Sequence, residues 1–382
     1  MRNYRITSVW GIPIQLNISL LVFLPILVWL IAATGQIELY AAIVDDLSPA
    51  RLDVDVLQVG ANPWLIGTAA AVGLFFSVAV HELGHAYAAR RYGIGIRSIT
   101  LWIFGGLASL ESMPREWDRE FWIAIAGPIT SVLLGIVFVG LLQVIPASLP
   151  VVLFVVGWLA VINVVLAIFN MLPAFPMDGG RILRALLARS RTYAGATRTA
   201  ARVGTLFALL FAVVGVLSWN PVLILIALFV YGTATTESRT TMLDELLTGV
   251  TAADVMDAPV RTVSADATVA DFTDRMLRDR RSEYVVLDDS EIVGLVTLSN
   301  LKRVDRDAHG STTVRSVMST DVPTVEPTTP AFDVLVAMRD GPLVVVLEDG
   351  EPTGTVSRSD LGKVMELRKQ LGTEQPTDRV PM

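Results

Sequence analysis

The chain has 382 residues, a mean hydropathy of +0.57 and 53% hydrophobic residues, which is too apolar for an ordinary water-soluble enzyme. It contains no cysteine, so disulfides, thiol nucleophiles and thiolate metal sites are excluded and histidine and carboxylate remain as metal ligands. Residues 1–237 carry 14 arginines against 12 acidic groups, whereas residues 238–382 carry 16 basic against 25 acidic groups, an acidic balance that argues against a nucleic-acid partner. Only three lysines occur, a bias that suits either a high-salt cytoplasm or a GC-rich genome.

In chain order, apolar segments fall at 13–34, 63–87, 121–145, 151–172, 203–219 and 221–236. Several approach or exceed the roughly 20 residues that cross a bilayer as a helix, so six spans in a lipid bilayer are expected. Met1-Arg2 precedes no small-residue cleavage site, and the first segment reads as a span, not a removed signal peptide. Arginines crowd the loops near 90–120 and 180–202, while the loop at 35–62 is acidic. The excess of positive charge puts the first two loops, and both termini, on the cytoplasmic side of a cell membrane. Between the second and third spans, residues 98–104 are β-rich and end at Gly105-Gly106. A strand there is tolerated only if it is buried in protein or lines a wet cavity.

The second span ends in His81-Glu82-Leu83-Gly84-His85. Four residues are just over one helical turn, so both imidazoles lie on one face and can meet one metal ion. Glu82, between them, can accept a proton from water at that metal. A packing pair of histidines is the competing reading, but three ionisable groups in five residues of an apolar helix are functional by default. A catalytic zinc site needs three protein ligands. The only other histidine, His309, lies in the acidic module, so a carboxylate from another span must complete the set. The best candidate is Asp178, where the fourth span breaks at Pro173 and Pro176 before Gly179-Gly180. A solvated turn at a helix end is the alternative. The topology brings the ends of spans two and four to similar depth on the cytoplasmic side.

After about residue 245 the chain becomes soluble α/β, and two stretches repeat at a spacing near 60 residues. The first runs from Asp254-Val255-Met256 to Gly294-Leu295-Val296-Thr297-Leu298-Ser299-Asn300. The second runs from Ser316-Val317-Met318 to Gly354-Thr355-Val356-Ser357-Arg358-Ser359-Asp360.

Through His81-Glu82-Leu83-Gly84-His85 and Asn170-Met171-Leu172-Pro173…Met177-Asp178-Gly179-Gly180, the chain resembles the site-2 protease family of intramembrane zinc metalloproteases, in the branch with a C-terminal pair of CBS domains. The family usually has leucine where Met177 stands. The resemblance implies one Zn2+ held by His81, His85 and Asp178, Glu82 as general base and Asn170 near the substrate or oxyanion. It also implies substrate contacts at Gly105, Gly106 and Pro173, an edge for an extended peptide on the strand before Gly105-Gly106, and a single-span membrane protein as substrate. The expected organisation is a multi-span α-helical protease domain over 1–240, CBS repeats at 245–307 and 308–370, and a flexible tail at 371–382. CBS pairs often bind adenine nucleotides through Gly-x-x-Thr/Ser-x-x-Asp. The second repeat fits with Gly354, Ser357 and Asp360; in the first, Thr297 is retained but Asn300 replaces the aspartate. A purely structural or dimerising pair is the alternative there. For the whole chain the rivals are a channel or transporter with a regulatory CBS pair, and a catalytically silent homologue.

Overall fold

The computed structural model describes residues 3–103, 105–110, 114–289, 291–338 and 341–371. All of the expected tail except Leu371 lies outside the described residues, as does Phe104 of the expected strand. The chain divides into two compact units, Met1–Arg239 and Thr240–Met382.

The first unit opens with a hairpin. β1 (Asn3–Val9) and β2 (Ile12–Asn17) pair antiparallel around Trp10-Gly11, both at positive φ (52° and 83°). Two such residues make the tight turn whose twist matches that of the strands it joins. The first span therefore starts later than the apolar run at 13–34 suggests, because residues 13–17 belong to β2. Helix α1 (Ile18–Ala33) begins only where Asn17 Oδ1 accepts the Ser19 amide at 3.0 Å. It bends by 71° into α2 (Gln36–Leu47) at Gly35 (φ 73°).

The unit continues through α3 (Val54–Gln58), α4 (Asn62–Arg91), β3 (Ile96–Trp102), β4 (Gly105–Leu110), α5 (Trp117–Leu142), α6 (Pro150–Asn170), α7 (Asp178–Ala188), α8 (Tyr193–Leu217) and α9 (Pro221–Leu247). Helices α4, α5, α6, α8 and α9 are long and apolar enough to cross a membrane, and the bent α1–α2 pair makes a sixth if taken as one span. Their outer faces are apolar too: Ile136 on α5, Leu206 and Val216 on α8 are each about 60% exposed or more. So continuous an apolar surface is solvated by lipid, not water. The chain is a multi-span membrane protein joined to a soluble α/β module.

The four strands lie in the order β1-β2-β3-β4, with β2 and β3 parallel and β3 and β4 antiparallel. Ile12, Ile99 and Leu101 pack with Phe75, Val78 and Ala86 of α4, which lays the sheet against the helix carrying the histidines. β1 and β4 are the two edges of this sheet; the strand before Gly105-Gly106, expected to offer an edge to a peptide, is β3, which pairs on both sides, so the edge beside Gly105-Gly106 is that of β4.

The segment 180–202, expected as an arginine-rich loop, is helical over most of its length, and Arg184 is 1% exposed within α7. Hydropathy cannot distinguish a solvated arginine from a buried one with partners. Here Nε donates to Glu120 of α5 at 2.7 Å, Nη1 donates to Glu237 of α9, and the guanidinium stacks over Phe175 and Tyr193. Removing one side of a buried pair strands the other charge, at about 3–5 kcal/mol. Arg184→Ala should lower unfolding stability in detergent by about that amount, whereas Arg184→Met combined with Glu120→Leu should recover most of it.

In the second unit α10 (Ala252–Val255) precedes two copies of one topology. The first is β5 (Thr262–Ser264), α11 (Val269–Asp279), β6 (Glu283–Asp288) and β7 (Glu291–Thr297), followed by α12 (Leu298–Leu301); α13 (Val314–Val317) then stands before the second as α10 does before the first. The second is β8 (Thr324–Val325), α14 (Ala331–Ala337), β9 (Leu343–Glu348), β10 (Glu351–Ser357) and α15 (Arg358–Leu371). In each, a short parallel strand flanks an antiparallel pair. Reciprocal backbone bridges, Asp257 with Thr355 and Leu295 with Ser319, clasp the copies, and Val285, Leu295, Leu343 and Val345 fill the space between them.

Candidate metal centre and active site

Helix α4 runs without interruption through His81 and His85 and puts both on the face turned towards α5 and α7. Asp178 is the first residue of α7, reached after the chain turns through residues 171–177. Its Oδ2 lies 3.1 Å from His81 Nε2 and 3.2 Å from His85 Nε2, and the two Nε2 atoms are 3.2 Å apart. All three side chains are buried. Among the described residues this is the one His/Cys/Asp/Glu group whose ligand atoms converge within 4.8 Å.

The other ring nitrogens already have partners, which tests whether a metal fits. His85 Nδ1–H donates to the Ile123 carbonyl at 2.7 Å, and His81 Nδ1 bonds Ser131 Oγ at 2.8 Å. With Nδ1 protonated, both Nε2 lone pairs face the carboxylate. Three electron-rich atoms then crowd together in a buried site, an arrangement a cation relieves. Bonds of about 2.0–2.1 Å in a tetrahedron place ligand atoms about 3.3 Å apart, close to the separations seen here. The donor set and its spacing fit zinc.

Helix α5 supplies the back wall. Ile123, Gly127 and Ser131 recur every four residues and share the face opposite α4. A Cβ on Gly127 would lie 2.6 Å from His81 Nε2 and 2.5 Å from His85 Cε1, so only glycine leaves room for the ligand pair. None of these three was marked by sequence reasoning. The spacing was visible, but small residues at helical period usually mean helix packing.

Glu82 is 9% exposed and extends towards β4, where its Oε2 accepts the Ala108 amide at 3.1 Å. A Cβ on Gly106 would come within 2.8 Å of the Glu82 carboxyl carbon, and Gly105 sits at φ 128°, where side chains are strained. The two glycines thus let the carboxylate lie across the strand. His81, Glu82, His85, Asp178, Asn170, Gly105 and Gly106 all line one cavity of about 300 Å³, closed by apolar groups including Trp102 and Phe229. Asn170 donates to the Leu166 carbonyl at 3.0 Å and faces the same cavity. Pro173 does not line it; Pro176 does, because the turn at 171–177 carries Pro173 away from the ligands. His309 bonds the Val304 carbonyl within the second unit.

The second unit has a polar cleft of about 190 Å³ where Arg261, Arg280, Arg281 and Glu283 of the first copy face Ser357 and Asp360 of the second. Burial alone would raise the Asp360 pKa, but hydrogen bonds from Ser357 and Lys363 outweigh it and hold the carboxyl below the usual range. Burial, reinforced by Asp360, pushes Glu283 the other way. Gly354 and Thr297 do not line this cleft. Gly354 lies under Met256, as Gly294 lies under Met318, where a Cβ would meet each sulfur at 2.7 Å. Thr297 bonds Asn300 at 2.7 Å and caps α12.

Two imidazoles and a carboxylate converging beside a glutamate that is not one of the ligand group, sunk among lipid-facing helices, define a membrane metallohydrolase. The profile of peptidase family M50 matches residues 69–151 and 145–213, and that of the CBS domain matches 252–307 and 314–366. A zinc metalloprotease of Methanocaldococcus jannaschii is 32% identical over 97% of this chain and 99% of its own. Rip3 of Mycobacterium tuberculosis is 35% identical over 82% and 84%. Among solved structures, the site-2 protease from Methanocaldococcus jannaschii is 34% identical, covering 62% of this chain and 96% of that one with a TM-score of 0.42. The chain belongs to peptidase family M50, the site-2 protease metalloproteases, and carries a C-terminal CBS pair.

Proposed function

We propose that the protein is a zinc-dependent endopeptidase that cuts transmembrane segments of single-span membrane proteins. The supporting observation is the convergence of His81, His85 and Asp178 within one cavity that also holds Glu82. Zinc held by these three residues would supply Lewis-acid polarisation of the scissile carbonyl and of the attacking water. Glu82 accepts the water's proton as the oxygen attacks the carbonyl carbon, then delivers it to the amide nitrogen as the C–N bond breaks. Asn170 donates to the oxygen on which charge develops. A helical substrate hides its amides in internal hydrogen bonds, so it must unwind locally; β4, the free edge beside the site, offers backbone pairing to the unwound stretch.

The arginine distribution supports a cytoplasmic position for both termini and for the site. Asp178→Ala should bind less than half the zinc of the parent protein, measured by elemental analysis after dialysis. Unchanged stoichiometry would remove Asp178 from the ligand set. Cleavage of a model transmembrane peptide, blocked by 1,10-phenanthroline, tests the activity itself.

The arginine-lined cleft of the CBS pair supports binding of an adenine nucleotide, with Asp360 on the ribose and the pair as regulator of the protease. Titration calorimetry with ATP and AMP should give heat that Asp360→Ala abolishes. No heat with either nucleotide would favour a structural or dimerising pair.

A further inference from the structure

The Glu82 carboxylate does not simply face the cavity; it accepts the Ala108 amide of β4. In an antiparallel pair each residue's N–H and C=O point to the same side of the strand, and the side alternates from residue to residue. An Ala108 amide spent on Glu82 is not part of the ladder with β3, so it belongs to the free edge together with the edge groups of Gly106 and Leu110. Those are the groups that an added strand must use. Gly106 lacks the side chain that would push Glu82 away, so the close approach of base and strand is built into the sequence.

We propose that in the substrate-free protein the Ala108 amide holds the base, and that an extended substrate pairing with β4 takes over this amide and releases Glu82 towards the reacting carbonyl. The proposal rests on the reading of Glu82 as general base and of β4 as the substrate edge. One amide serves one good acceptor, so pairing and holding exclude each other at this position. A segment that remains helical keeps its carbonyls in internal bonds and cannot displace the carboxylate. Base release is thereby tied to unwinding, and folded membrane helices that drift into the site are spared. Ala108 is a positioning residue through its backbone, and its side chain is immaterial to the device.

Hydrogen exchange at the Ala108 amide, followed in the full-length zinc-loaded protein in detergent, reads the device without relying on turnover. In the free state Glu82→Ala should exchange at Ala108 at least tenfold faster than the parent, with Glu82→Gln, a weaker acceptor, in between. Saturation with a peptidyl phosphinate long enough to span β4 should make parent and Glu82→Ala equally slow, because the peptide now supplies the acceptor. Equal exchange in the free proteins overturns the proposal. So does an Ala108 amide that stays fast in the phosphinate-bound Glu82→Ala protein, since Glu82 would then be the acceptor throughout. Failure of the phosphinate to bind the zinc-loaded protein would instead sink the protease reading, and the device with it.

Discussion

Glu82→Gln is expected to retain a full equivalent of zinc and to cleave a transmembrane peptide about 10³-fold more slowly, within the range a general base contributes. The substitution keeps shape and removes the basic oxygen. Glu82 stands outside the ligand group, its carboxylate reaching β4 and not the imidazoles. Metal content and turnover should therefore separate. Elemental analysis and single-turnover cleavage on one preparation check both halves. Substantial activity in the variant would remove Glu82 from the role of base, whereas loss of zinc would mean that the residue supports the site and not the proton transfer.

That separation could be anticipated because chemistry and period coincide in this stretch. His81 and His85 are one turn apart, and no rearrangement of neighbouring helices changes which face they share. Asp178 was legible for a different reason: it is the one carboxylate next to an otherwise uncharged apolar run, and charge in that setting is costly unless used. The internal repeat revealed the CBS pair because two copies of a supersecondary unit advertise each other.

What stayed hidden depends on how elements meet. Most of β2 was absorbed into the first apolar run, although Ile-Pro-Ile-Gln-Leu alternates and Trp-Gly before it is a turn signal; a membrane span and a half-buried strand look alike when both are apolar. Arg184 counted as one more loop arginine, because nothing local in the sequence says that Glu120 and Glu237 will close around it. Ser131 and the Ile123 carbonyl orient the histidines from 50 and 38 residues away, and their roles exist only in the register of α5 against α4. Gly354 read as part of a nucleotide motif, but the glycine is required where Met256 crosses the strand.

Gly127→Ala should abolish zinc binding while leaving the membrane unit folded. An added methyl carbon would stand 2.6 Å from His81 Nε2, inside the space where the ligand atoms converge. Relief would require the imidazoles to swing away, but both are tied at Nδ1, to Ser131 and to the Ile123 carbonyl. Backing α5 away from α4 would give up the close packing at Gly84, which lies so near α5 that a Cβ there would come 2.9 Å from the Ala126 carbonyl. The strain therefore falls on the ligand positions. Gly140→Ala is the control on the same helix, for its added carbon would meet nothing within 4 Å and alanine favours a helix over glycine by about 1 kcal/mol. The control should bind zinc and cleave as the parent does, with equal or higher thermal stability. If Gly127→Ala also retained one zinc per chain, the metal would have to lie outside the triangle of His81, His85 and Asp178, and the assigned centre would be wrong. Loss of zinc from Gly127→Ala alone, with helix content preserved by circular dichroism, would locate the ion against this bare stretch of α5.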